Sequence, residues 1–159
     1  MLGASIDPGV GEPFPRATRV RPSLFAWTAA FLAPVPVVCF SGALLTDIVY
    51  SRSAVMQWAN FSAWLLLFGI FFGALAAAAG AIHVIRRGLL RRSDVTVRIV
   101  GAALVLILSL FNNFVHSRDA WTSVVPTGLV LSALTVLAMI VTAVFAGALS
   151  RGLEIGEAR

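Results

Sequence analysis

The chain has 159 residues, 59% of them hydrophobic and 12% charged, with a mean hydropathy of +0.94. A soluble domain carries about 25% charged and about 45–50% apolar residues, so an ordinary globular enzyme and a disordered tail are both excluded and the membrane class remains. The net charge of +5 comes from twelve arginines and no lysine, set between apolar runs rather than along one face, which is the pattern of positive-inside topology and not of nucleic-acid recognition.

Residues 1–23 read as an irregular basic arm. Pro8, Pro13, Pro15 and Pro22 with Gly3, Gly9 and Gly11 forbid a continuous helix there, and Arg16, Arg19 and Arg21 make the arm basic. So long a polar lead does not fit a cleavable signal peptide. A helix crosses the roughly 30 Å hydrocarbon core in about 20 residues, and four apolar runs meet that length: Leu24 to Thr46, Ala59 to Ile85, Val97 to Val115 and Val124 to Leu149. Their apolarity is continuous rather than alternating, so backbone satisfaction in lipid requires helices. The expected fold is an all-α four-helix transmembrane domain over residues 24–150, with a short tail over 151–159.

The first run contains Pro34 and Pro36, which remove two amide donors and should kink the helix, and a lone Cys39 that can form no intrachain disulfide. At a rise of about 1.5 Å per residue, Asp47 lies about 35 Å beyond Leu24, which places it at the outer interface in a headgroup-level ion pair with Arg52 or Arg118. In the second run Gly69 and Gly73 form a GxxxG spacing continued by Ala77 and Ala81, with Ala76 and Gly80 as a parallel ridge, so this face is an expected helix seam, within one chain rather than between chains. The third run carries Asn112 and Asn113 about one turn inside its outer end. The fourth offers Gly128, Ser132 and Thr135, then Ala143 and Gly147, a weaker version of the same device whose hydroxyls are expected to bond their own helix.

Ten arginines flank the runs on one side and only Arg52 and Arg118 lie on the other, which places both termini in the cytoplasm of a bacterial-type inner membrane. Tyr50, Trp58 and Trp121 then fall at the outer interface and Trp27 near the inner one. Arg16, Arg19, Arg21, Arg86, Arg87, Arg91 and Arg92 become candidates for headgroup or partner contact. Residues 49–54, VYSRSA, resemble residues 115–120, VHSRDA, at an offset of 66. Two hairpins related as a parallel repeat would give this match, and so would a shared composition of short outer turns.

Two histidines raise the question of haem, but His83 ends the second run and His116 the third, at opposite membrane faces, so they cannot ligate one iron. Copper bound by Cys39, Met56, Met139 and His116 fails the same depth test. No nucleotide loop, HExxH or nucleophile with a nearby base occurs, so no enzymatic activity and no metal site are expected. Asn112, Asn113 and His116 are the only weak cofactor candidates, and haem or quinone would need a partner subunit.

Two prolines in the first run, the Asp47-Ile48-Val49-Tyr50 ending, the Trp64-to-Gly80 stretch rich in small residues, and the closing Ala146, Gly147, Gly152 and Gly156 resemble the prokaryotic four-span membrane proteins filed as domain of unknown function twenty-two thirty-one. The resemblance covers about residues 24–156 and implies a four-helix membrane fold without an established activity. Members commonly carry a His-Pro near the start of the first span and a histidine early in the third, positions that, placed by the prolines, fall near Ala29-Ala30 and Ala102-Ala103. The resemblance therefore implies that any cofactor or metal ligation by those histidines is lost here. The expected function is a non-catalytic accessory subunit of a larger bioenergetic or photosynthetic membrane complex, in contact with lipids and other integral subunits or itself. The competing expectation is a small redox or ligand-binding protein with quinone or haem held between helices near Pro34, Cys39, Asn112, Asn113 and His116.

Overall fold

A computed structural model describes residues 22–118 and 124–157. Of the arm expected over 1–23, all but Pro22 and Ser23 lies outside the described residues, and with it Arg16, Arg19 and Arg21; so does Trp121. The described residues form α1 (Leu24–Leu32), α2 (Pro34–Ser53), α3 (Met56–Arg87), a 3₁₀ turn (Leu89–Arg91), α4 (Ser93–His116) and, after a helical turn at Val124–Gly128, α5 (Leu129–Glu157). Four stretches, Leu24–Ser53, Met56–Arg87, Ser93–His116 and Val124–Leu153, are long and apolar enough to cross a membrane. Each contains one of the four runs expected from the sequence and extends past it, because helix geometry continues through the flanking interface where the apolar run stops.

Local chemistry sets the boundaries. Ser23 caps α1 by accepting the Ala26 amide at 3.2 Å. α1 stops before Ala33, and Pro34 opens α2 at the first helical position, where its missing N–H removes no intrahelical bond. The interruption expected at the prolines is therefore a break between two helices in one span. Gly88 ends α3 with a positive φ of 65°, the left-handed conformation that glycine adopts without strain. Ala54 ends α2 with a φ of 53°, where an L side chain is less at ease.

The packing face of each helix is a stripe spaced alternately by three and four residues. Phe40, Ala43, Asp47 and Tyr50 are buried on α2, Ser62, Leu66, Gly69 and Gly73 on α3, and Val105, Ser109, Asn112 and His116 on α4. Such spacing aligns neighbouring helices at shallow crossing angles, as in bundles. Consecutive helices α2 and α3 form one hairpin and α4 and α5 another; α2 also packs on α5, α3 on α4, and α1 on α3. Phe40, Ala43, Leu66 and Val105 make the central apolar cluster, while most of the large apolar side chains face outward. That inversion of the soluble pattern is what a lipid solvent allows.

Candidate functional site

The stripes carry polar groups to one place near the His116 end of the bundle. Asp47 is fully buried, and three donors from three other helices converge on it. Ser62 of α3 donates to Oδ1 at 2.5 Å, Ser132 of α5 donates to Oδ2 at 2.5 Å, and His116 Nε2 of α4 lies 2.9 Å from Oδ1. Outer contacts continue the chain: the Thr46 and Ser62 hydroxyls are 2.7 Å apart, and the Asn112 amide donates to Ser132 Oγ at 2.7 Å. His116 Nδ1 faces the Asn112 carbonyl at 3.0 Å.

Donor counting fixes several of these roles. A carbonyl only accepts, so His116 Nδ1 carries a hydrogen, and the Nε2–Oδ1 contact then holds one proton between the two groups. The pair is imidazole with carboxylic acid or imidazolium with carboxylate, and it is neutral overall in either form. Neutrality lets two ionisable groups sit inside a bilayer protein without an isolated charge in low dielectric. Because Ser132 spends its only hydrogen on Asp47, the Asn112 side chain must present Nδ2 to it, which leaves Asn112 Oδ1 buried without a partner among the described residues. Gly128 provides the space for the imidazole; a Cβ there would lie 2.8 Å from His116 Cε1.

Several expectations are corrected by this arrangement. Asp47 is not in a headgroup-level ion pair with Arg52 or Arg118, because it shares the inward stripe of Phe40 and Ala43 and its side chain points into the bundle. Ser132 bonds Asp47 rather than its own helix, whereas Thr135 does bond back, to Leu131 at 2.8 Å. Asn112 and His116, offered as cofactor candidates, have their bonding directed to this network, and Asn113 is only half-buried on an adjacent face. Ser62 was not singled out by the sequence, although it stands at stripe spacing from Leu66, Gly69 and Gly73.

The seam residues lie between helices of one chain. A Cβ at Gly69 would strike the Phe40 ring, and one at Gly73 would lie 3.0 Å from Leu106 and 3.4 Å from Pro36. Gly80 faces Ala29 at 3.9 Å. His83, at the arginine-rich end, shares a hydrogen bond of 2.7 Å with Ser23, far along the bundle from His116. Arg86 sits 4.8 Å over the Phe25 ring and Arg92 pairs with Asp94 at 3.1 Å, while Arg91 is exposed and Arg87 takes part in interactions of its own.

In the half of the bundle away from the network, the small side chains leave a cleft of about 500 Å³ between α1, α3, α4 and α5. Ala29, Ala30 and Ala102 line it, and Ala103 lines an adjoining groove of about 380 Å³. The positions that the family resemblance pairs with histidine are thus brought together, and in this chain they contribute only methyl groups. No group of three or more metal-ligating side chains occurs among the described residues.

The model of a family described as predicted membrane protein, DUF2231, matches residues 30–159. Comparison with curated proteins and with solved structures finds no match.

Proposed function

The chain belongs to the DUF2231 family of membrane proteins, and from that premise we propose that it is a non-catalytic accessory subunit of a larger membrane assembly, bioenergetic or photosynthetic in type. The observation that supports this reading is the closed network around Asp47. Ionisable groups inside a membrane span are the default candidates for chemistry, yet here Asp47 and His116 are directed at each other, Asp47 also takes the Ser62 and Ser132 hydroxyls, and neither lines the cleft or the groove described above. The lateral surface offered to neighbours is apolar, and the arginine excess argues for a bacterial-type inner membrane with both termini cytoplasmic. The test is to tag the C-terminus, extract native membranes in mild detergent and identify by mass spectrometry what co-elutes at native size. Stoichiometric co-elution with a large assembly is the expected result; elution alone or as a small homo-oligomer would overturn the proposal.

A second reading, a small protein holding quinone or haem between helices, draws support from the cleft of about 500 Å³, which falls in the roughly 300–1,000 Å³ range of ligand sites. No imidazole lines it, so haem iron would need an axial ligand from a partner subunit. A stoichiometric visible chromophore or quinone in the purified chain would favour this reading, and a colourless, quinone-free protein would count against it.

A further inference from the structure

The polar network draws α2, α3, α4 and α5 together at one end of the bundle, whereas among the described residues the helices leave a cleft at the opposite end. There α1 is held on α3 by the Ser23–His83 bond, by Arg86 over Phe25 and by Ala29 against Gly80, and it makes little contact with α5 among the described residues. The cleft lies between them. We propose that it holds one acyl chain of an anionic phospholipid from the leaflet on the arginine-rich side, with the Arg98 guanidinium on the phosphate.

Three observations lead to this occupant. Length comes first: the cleft and its adjoining groove share Ala77, Arg98, Ala102 and Leu106, and together they run along α3 from Gly73 to Val84. Eleven residues at about 1.5 Å each give about 16 Å, close to half of the roughly 30 Å hydrocarbon core, which is the depth of one leaflet. The walls are the second. Apart from Arg98 and Thr142 the residues lining the cleft and groove are apolar, and most are alanine or glycine, so the surface offers van der Waals contact to a slender hydrocarbon chain and almost nothing to a polar ligand. The third is charge. Among the described residues Arg98 is the one charged residue lining either space, and residues 86–98 hold five arginines against one acid, Asp94, which is bonded to Arg92. Among the described side chains no carboxylate pairs with Arg98, which is exposed at the groove. An exposed guanidinium lining an otherwise apolar cleft suits a phosphodiester.

This inference does not rest on the accessory-subunit reading, because it is read on the isolated chain. The full chain is purified in mild detergent, delipidated, and titrated with phosphatidylglycerol or phosphatidylcholine under native mass spectrometry. One tight phosphatidylglycerol adduct is expected, preferred over phosphatidylcholine by about fivefold, the factor one interfacial arginine supplies. Arg98→Gln should remove the preference and keep the adduct. Ala143→Phe and, independently, Ala30→Phe should remove the adduct by filling the cleft, with melting temperature checking that each variant is folded. The proposal is overturned by no adduct in the native chain, by equal affinity for both lipids, by an adduct that survives a folded cleft-filling variant, or by a stoichiometric quinone in the initial extract.

Discussion

Asp47 shows how far the role of one side chain depends on direction rather than depth. Its distance along the helix places it near an interface, where Arg52 and Arg118 are the nearest opposite charges in sequence. Its position on the Phe40–Ala43–Tyr50 stripe turns it inward, to a histidine 69 residues away. The two neighbouring sites should respond differently to substitution. His116→Leu strands the Asp47 carboxyl without its proton partner, and breaking a buried pair from one side costs about 3–5 kcal/mol. Asn112→Leu loses one donor to Ser132 but also removes an orphaned acceptor that itself costs about 1–3 kcal/mol, so its net effect should stay below about 1 kcal/mol. Thermal melting in detergent separates them; equal losses would mean that the network is not organised around Asp47. Gly128→Ala should resemble a weak His116 variant, because the added methyl displaces the ring.

Among the helices, the spans were legible in the sequence because apolar run length is a direct consequence of bilayer thickness, and the Gly69–Gly73 face was legible because close approach requires small residues. Ser62 was hidden by being ordinary: a single serine in an apolar helix gains meaning only when Asp47 is seen across from it. The cleft was also hidden, since it is an absence of side-chain volume that depends on where α1 and α5 diverge. The seam positions are graded by their neighbours. Gly69→Ala pushes a methyl into the Phe40 ring and should cost about 1–3 kcal/mol by overpacking, whereas Gly80→Ala meets only Ala29 at 3.9 Å and should be near neutral. Melting temperatures that fell equally for both would contradict this packing. At the turn between α2 and α3, Ala54→Gly relieves a positive φ and should stabilise by about 1 kcal/mol, read as a higher melting temperature.

In the whole molecule the two ends of the bundle do different work. The end with the network fixes which helix stripes face each other, because a buried polar group in lipid has few alternative partners. The arginine-rich end is held by α1 on α3 and leaves a cleft of one leaflet's depth. If Asp47 and His116 are a packing device and not a proton-handling site, the bundle should tolerate their joint replacement by apolar side chains of similar size, since exchanging both members of a buried pair is often neutral. The most direct measurement is therefore the Asp47→Leu, His116→Leu double variant, followed both by melting in detergent and by its native-size elution from mild extracts. The account predicts that the double variant regains most of the stability lost in His116→Leu and elutes with the same companions as the native chain. A double variant as stable as the native chain that no longer enters its assembly, or one whose losses simply add, would contradict it.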